Sequence, residues 1–479
     1  MSSARRRSPV SAITPLGLGL GLGLALALGC GCGGAADGPA DAAFDAAPMR
    51  EPLPDPVAIA GPLTITAWGA QPFLTPAAID EVLQTSFSIG RELFVADWRV
   101  APDATRPNID GLGPLLHAAS CLACHPASGR PASLVDGGGV DAGLLFRLAR
   151  ADGAGGARGP DPIFGGQLQP SAIAGVAPEA AITFTRPEPP PAGISAVSAR
   201  PVFAFAVNPA YGALDPETRA SPRLSPQLAG MGLLEAVDAA SILALEDPLD
   251  ADGDGISGRA ARLPGGAVGR FGWKAVQPTL RGQSAAAFAG DLGITSPDRA
   301  DDCTPAQVAC TGAPSGGAPE VAAVDVEAVG TFARYLGVPA ARRANADPVI
   351  ARGHELFVAA RCAGCHRSKL VTGAAAAAPV LAGVGFYPYT DLLLHDMGPE
   401  LADAIGEGDA AAGEWRTPPL WGLGLVAAQP TARFLHDGRA ATIADAIRWH
   451  GGEAEAARGA FAALSPADAA ALLAFVESL

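Results

Sequence analysis

Apolar positions recur along this chain with two periods. At Gly90-Arg-Glu-Leu-Phe-Val-Ala96 and again at Gly353-His-Glu-Leu-Phe-Val-Ala359, a Leu-Phe pair lies one helical turn beyond a glycine, which predicts a helix with an apolar stripe at each place. Val329, Phe332 and Leu336 are spaced for one face of a further helix, and so are Leu472, Phe475 and Leu479, after a Ser465-Pro466 start signal. Each of these faces is a candidate partner for the stripe that precedes it. Elsewhere the period shortens. Ile182-Thr-Phe-Thr185 alternates and Val202-Phe-Ala-Phe-Ala-Val207 runs apolar, so short strands are expected there, in a stretch rich in Gly, Pro and turn signals. Ile443 to Trp449 makes a short amphipathic segment that stops before Gly451-Gly452.

Near the start the pattern is of another kind. Arg5, Arg6 and Arg7 precede an apolar run from Leu16 to Leu28 that alternates Leu with Gly and is too short to span a membrane, as in a secretory signal. Ala27-Leu-Gly-Cys30 resembles a bacterial lipobox. Residues 1–29 are therefore read as a lipoprotein signal peptide, Cys30 as the lipidated residue with Cys32 as its rival, and residues 30–56 as a flexible tether. This implies an exported, periplasm-facing lipoprotein of a Gram-negative outer membrane, in contact with the membrane only through its anchor.

Composition narrows the partners. With 49% hydrophobic and 17% charged residues, 60 Gly and 44 Pro in 479, the chain is a large, loop-rich globular protein rather than a disordered one. A net charge of −15, two lysines (Lys274 and Lys369) and no basic run beyond Arg5 to Arg7 argue against nucleic acid.

Eight cysteines remain to be explained. Four fall in Cys121-Leu-Ala-Cys124-His125 and Cys362-Ala-Gly-Cys365-His366, both C-x-x-C-H haem attachment motifs. On a helical turn, positions i and i+3 share a face, so two thiols can add to the two vinyl groups of one porphyrin while the adjacent imidazole meets the iron. Zinc or a dithiol redox pair would not require a histidine directly after each cysteine pair. Two covalently attached c-type haems are expected, with His125 and His366 as iron ligands. Cys303 and Cys310, in a polar loop, are left to form a local disulfide in an oxidising compartment, the alternative being a reactive dithiol.

The repeated heptapeptide, identical at six of seven positions, precedes a haem motif in each copy, so the chain contains two related units. The predicted fold is mainly α, with two cytochrome c-like haem domains at 57–340 and 341–479. The first carries a large irregular insertion, about 130–315, that contains the short β-strands. Within it, Asp250, Asp252 and Asp254 have the carboxylate spacing of an EF-hand loop, but the twelfth position is Ala261. A calcium-ordered turn with ligands from elsewhere and a solvated acidic turn are the two readings.

These motifs, with Trp415-Arg-Thr-Pro-Pro-Leu420, Phe434-Leu-His436-Asp-Gly438 and Trp449-His450-Gly451, resemble the bacterial dihaem cytochrome c peroxidase and MauG superfamily. More narrowly, the chain resembles its di-haem oxidoreductase branch, once called thiol oxidoreductases, over nearly all of residues 75–479. Gly165-Gly-Gln-Leu-Gln169, Asp252-Gly-Asp-Gly-Ile-Ser-Gly-Arg259 and Tyr389-Thr-Asp-Leu-Leu-Leu-His-Asp-Met-Gly398 belong to the match. The resemblance implies that the sixth ligand of the C-terminal haem lies fourteen residues after the His of the His-x-Gly motif. Counting from His436 reaches His450, where relatives usually carry Met or Tyr, and two imidazoles give a lower potential than Met with His. Met397 is the rival ligand. His395 is placed by the resemblance at a haem edge or propionate, with a structural histidine as the other reading, and His436 joins the cofactor-contacting set.

For the first haem, no histidine follows His125 until His354, so its iron is expected to be open to peroxide. The resemblance assigns Gln169 and Glu179, ten residues apart, as positioner and proton shuttle, since heterolytic O–O cleavage needs a proton on the departing oxygen. The Trp that relatives place ten residues before that Gln is Gly159 here, which leaves Trp273, Trp415 or Trp421 as routes between the haems. The function expected is a peroxidase-like oxidoreductase that reduces hydrogen peroxide or another small oxidant at the N-terminal haem, with electrons from an external donor passing through the C-terminal one. The alternatives are a dihaem electron-transfer lipoprotein without peroxidase activity and MauG-like oxidation of a protein or organic substrate.

Overall fold

Helices α1 (Glu81–Val95), α2 (Leu280–Leu292), α3 (Ala323–Arg334), α4 (Pro348–Ala359), α5 (Ile443–Trp449) and α6 (Pro466–Ser478) frame the protein in this computed structural model. It describes residues 53–67, 69–77, 79–127, 129–131, 133–135, 137–153, 156–342, 347–376 and 378–479. Cys30, Cys32 and the leader lie outside the described residues. The helix starts are written in the sequence: Asp80 Oδ1 accepts from Leu83 N at 3.0 Å, Ser465 Oγ from Asp468 N at 3.1 Å, and Asp347 caps α4 with Pro348 in its first turn.

The two repeated stripes do the same job. A methyl group on Gly90 would lie 1.9 Å from the carbonyl oxygen of Ala328, and one on Gly353 would lie 2.0 Å from that of Ala471. Only glycine lets α1 cross α3, and α4 cross α6, at backbone contact. Phe94 then packs on Phe332 with ring centroids 4.9 Å apart, and Phe357 on Phe475 at 5.3 Å. Leu336 departs from the expected helix face. Helix α3 ends at Arg334, because Pro339 disfavours helical backbone at Val338, which instead pairs in parallel with Thr64. Leu336 is nonetheless fully buried.

Two further repeats are visible once the fold is known. Ser225-Pro-Gln-Leu-Ala-Gly-Met-Gly-Leu-Leu234 and Thr417-Pro-Pro-Leu-Trp-Gly-Leu-Gly-Leu-Val426 both open a short helix after a left-handed glycine, Gly230 or Gly422. Each presses its next glycine onto a carbonyl at the end of its partner helix: Gly232 on Arg334, Gly424 on Glu477. Likewise Arg270-Phe271 and Arg433-Phe434 open matching loops, bridged Phe271 to Gln277 and Phe434 to Ala440. Positive φ occurs at Gly272 and Ala275 in one and at Leu435 and Gly438 in the other. These loops lead through the capping residues Thr279 and Thr442 into α2 and α5. Residues 225–235 and 270–292, read from the sequence as part of the insertion, thus repeat local structures of the C-terminal region.

The rest of that stretch is loops, short helical turns and short strands. Strands β1 (Leu144–Ala151), β2 (Gln167–Leu168), β3 (Ala180–Thr185), β4 (Val202–Val207) and β5 (Thr218–Leu224) form small antiparallel sheets, β4 with β3 and both β5 and β2 with β1. They close over a separate apolar cluster in which Phe146 meets Phe203 and Phe205 edge-on at 4.8 and 5.2 Å. Helix makes up 29% of the structure and strand 17%, so loops carry most of the chain. Among the described residues, no helix is long and apolar enough to cross a membrane.

Candidate functional site

Cys121–Cys124 forms one helical turn, and His125 follows with its N–H on the Cys121 carbonyl at 2.9 Å. Cys362 opens a tighter turn after Arg361, whose φ is 64°, and the His366 N–H reaches the Cys362 carbonyl at 3.0 Å. All four thiols are free. Burial pushes Cys121 and Cys362 up to about 12 and raises Cys124 and Cys365, so none is a ready thiolate for dithiol exchange. Nor does either triad form a zinc site: among the described residues, their ligand atoms are not among those that converge within 4.8 Å.

The imidazoles share one arrangement. Nδ1 of His125 hydrogen-bonds the Pro226 carbonyl at 2.8 Å, that of His366 the Tyr389 carbonyl at 2.9 Å, and that of His450 the Ala446 carbonyl at 2.8 Å. Each anchor leaves Nε2 as the ligating atom. Burial lowers all three, His366 to about 4, so they are neutral as iron ligation requires. Phe94 flanks His125 at 6.2 Å and Phe357 flanks His366 at 6.5 Å.

His366 and His450 line one cavity, together with Cys362, Cys365, Met397 and apolar side chains such as Leu420, Leu423, Ile447 and Leu472. His450 closes α5 as its C-cap. His395 is in the same wall, but both its nitrogens are engaged, Nε2 with Asp391 at 2.9 Å and Nδ1 with Glu453 at 2.7 Å. Burial opposes its charge, yet hydrogen bonds to Asp391, Cys365 and Glu453 hold it well above its ordinary value. Its Nδ1 also lies 3.6 Å from Cys365 Sγ. His436 stacks on Trp415 with centroids 3.7 Å apart and is kept neutral by burial and by Arg439.

His125 lines a second cavity with Cys121, Cys124, Phe94, Met231, Leu234, Phe288 and Val329. Among the described residues no second imidazole lines it. Eight residues beyond the cap Thr442 stands His450; eight beyond Thr279 stands Ala287, which faces this cavity. The matching loops and caps make Ala287 the counterpart of His450.

Gln169 and Glu179 come together, since Glu179 Oε2 accepts from Gln169 N at 2.6 Å, but neither lines the cavity. The second oxygen of Glu179 accepts from Gln307, and Gln169 Nε2 donates to the Gly290 carbonyl at 2.7 Å. The expected place at the open face is thus corrected: the Gly290 carbonyl of α2 holds Gln169 outside the lining, and the carboxylates at the wall are Asp291 and Glu407. Burial pushes Glu179 up to about 8. Burial opposes the ionised form of Glu407, but Arg223 and Arg147 hold it below its ordinary range. Sequence reading missed these groups because isolated Asp, Glu and Arg residues carry no spacing signal. It also missed His117, buried four residues before Cys121, whose Nε2 bonds the Ala142 carbonyl at 2.7 Å.

Three other expectations find their places. Asp247, Asp250 and Asp252 cluster, whereas Asp254 turns to Arg361 at 3.2 Å, so the EF-hand trio is corrected. Cys303 and Cys310 are bonded, and their loop supplies Gln307. Trp273 lines both cavities, Trp415 only the one that holds His366 and His450, and the fully buried Trp421 neither.

Each triad therefore fits a porphyrin: buried unreactive thiols, a neutral imidazole with Nε2 left free, and an apolar cavity beside them. A family model described as "Di-haem oxidoreductase, putative peroxidase" matches residues 213–479, more than half of the chain. The chain belongs to this family, and with it come haem cofactors and oxidoreductase chemistry. Among solved structures, the chain is similar to the diheme peroxidase BthA from Burkholderia thailandensis E264, at 15% identity and TM-score 0.28, over 87% of this chain and 89% of that one. It is also similar to hydrazine synthase from Kuenenia stuttgartiensis, at 14% identity and TM-score 0.22, over 38% of this chain and 65% of that one. Neither overlay is close enough to bear on the site. No curated protein matches.

Proposed function

We propose that this chain is an exported di-haem peroxidase-like oxidoreductase, built from two cytochrome c-like units of which the first is enlarged by the β insertion. Cys121, Cys124 and His125 would hold one covalent haem; Cys362, Cys365, His366 and His450 would hold the other. The bound groups supply redox-active iron, open to a small oxidant in the first cavity and closed by two imidazoles in the second. The observation that carries this reading is the pairing of Ala287 with His450: one position, in matching loops, offers a methyl group to one cavity and an imidazole to the other. Acylation of Cys30 would tether the protein to the membrane, and an external donor would supply electrons.

The remaining work falls to fixed side chains. Reduction of hydrogen peroxide to two waters consumes two electrons and two protons. Glu179, pushed up to about 8, keeps a proton at neutral pH, where a general acid is most effective. It stores that proton behind the wall, and Gln169 joins it to the Gly290 turn of α2 beside Asp291. Arg147 and Arg223 hold Glu407 ionised, which sets the charge of the wall that meets the oxidant. In the second cavity, Asp391 and Glu453 pin His395 beside Cys365.

Electron paramagnetic resonance of the oxidised protein tests this directly. One high-spin and one low-spin haem are expected; cyanide should bind the high-spin one alone, and His450→Ala should abolish the low-spin signal. Peroxide should oxidise the reduced protein with consumption of a supplied donor. Two low-spin signals without cyanide binding would instead make the chain an electron-transfer protein.

A further inference from the structure

The two cavities share a wall. Arg130, Trp273, Arg416, Pro418 and Pro419 line both. Arg130 is 5% exposed and Arg416 is 7% exposed, and neither guanidinium has a carboxylate partner among the described residues. Arg130 donates from Nε to Gln227 and from Nη1 to the Arg433 carbonyl, both at 3.3 Å. Arg416 donates from Nε to the Gly272 carbonyl at 3.1 Å and from Nη1 to the Thr417 carbonyl at 2.9 Å. Burial lowers each to about 10, whereas Arg259, gripped by Glu414 and Asp409, is raised. A buried charge without a counter-ion is costly, and sites that keep one normally pair it with an anion. Among the described residues none is ion-paired with either arginine, although Asp391 favours the Arg416 charge from a distance.

Arg130, Trp273 and Arg416 are also one piece. The Arg130 guanidinium sits 5.9 Å from the centroid of Trp273, and the Arg416 N–H donates to the Trp273 carbonyl at 2.9 Å. The Trp273 indole N–H is fixed on the Leu224 carbonyl at 2.7 Å. Arg130 falls in no motif legible in the sequence, and Arg416 stands in the Trp415-Arg-Thr-Pro-Pro-Leu420 segment, which by itself gives it no role.

We propose that Arg130 and Arg416 bind the propionate carboxylates of both haems, so that the two cofactors meet edge first at one cationic junction with Trp273 inside it. The inference rests on the two-haem reading above. It supplies the missing counter-charges, and it makes each guanidinium a shared determinant of both reduction potentials. Reduction adds an electron to the iron. A nearby buried cation favours the reduced state, and its loss lowers the potential.

Spectroelectrochemical titration of the full di-haem protein tests the junction. In Arg130→Gln and in Arg416→Gln, both haems should become harder to reduce, by about tenfold in equilibrium constant, ~59 mV for a one-electron couple. Arg130→Lys and Arg416→Lys, which keep the charge, should stay near wild type. Arg270→Gln should move only the first haem, because Arg270 lines only that cavity. Covalent haem is counted in every sample by pyridine haemochromogen. Fewer than two haems in the wild type overturns the two-haem reading and the junction with it. A full complement of haems with potentials that move one at a time, or not at all, overturns the junction alone.

Discussion

The surroundings of His125 and His366 are assembled from the same parts: a glycine-mediated helix crossing, a phenylalanine against the imidazole, a Pro-x-Leu-x-Gly-x-Gly turn and a looped Arg-Phe segment leading to a capped helix. They differ in what was added to that scaffold. The C-terminal copy stops α5 after Trp449 and turns His450 inward, whereas the N-terminal copy runs α2 on to Leu292 and presents Ala287. Strands β1 to β5 and their loops, which have no counterpart around His366, bring Arg147 and Arg223 to the His125 cavity and hold the buried Glu179 outside its lining. On the proposed reading one copy would be closed by a ligand, and the other left open and lined with charge. A single side chain on a shared backbone would then decide whether such a cavity stores electrons or admits a substrate.

The largest way to break this comparison is to make the copies alike. Ala287→His places an imidazole at the position equivalent to His450 and should convert the high-spin haem to low-spin. If that imidazole leaves the open position about 1% of the time, peroxide reduction falls by about 100-fold. Stopped-flow rates and cyanide binding read the effect. A variant that stays high-spin and fully active would show that α2 and α5 are not equivalent at the cavity.

A smaller effect tests the part the copies share. Gly90→Ala and Gly353→Ala each drive a methyl group into a carbonyl at the helix crossing, so each should cost about 2 kcal/mol despite alanine's better helix propensity. Thermal unfolding with haem bound measures both. Similar losses would confirm equal crossings; a loss at one site only would mean that the insertion has relieved the N-terminal crossing of its structural load.

How much of this was legible beforehand differs by kind of signal. The haem triads, the six-of-seven repeat and both strand segments stand in short, strongly patterned stretches, and the structure places helices and paired strands there. The Ser225 and Thr417 segments escaped because their common signal is two glycines among interchangeable apolar residues. The Arg270 and Arg433 loops escaped because backbone shape at Ala275 and Leu435, with φ of 52° and 68°, is not predicted by residue type. His450 was reached by counting along a family resemblance, and only the fold shows Ala287 as its twin. Gln169 and Glu179 were singled out together by the family resemblance, and they hydrogen-bond, but a resemblance over one strand–turn segment does not say whether that segment reaches the cavity.

The smallest effect separates a proton store from a fixed charge. Glu179 is raised to about 8 from an ordinary 4.5, so the native state binds the proton more tightly than the unfolded chain. Its contribution to stability is fully present below pH 4.5 and is lost as pH rises toward 8, with a slope of at most about 1.4 kcal/mol per pH unit. Glu179→Gln should flatten that slope in denaturant titrations between pH 5 and 8. It should also remove a kinetic limb in which peroxide reduction declines as the carboxyl ionises near pH 8. His395 is raised too, but its charge is held by Asp391 and Glu453 in the other half. Its contribution is present below pH 6.5 and is lost only as pH climbs through its higher folded value. His395→Gln should therefore change stability with pH while leaving the limb near pH 8 in place. If the limb follows His395 instead, the acid works from the closed cavity, and the division of labour between the two copies is reversed.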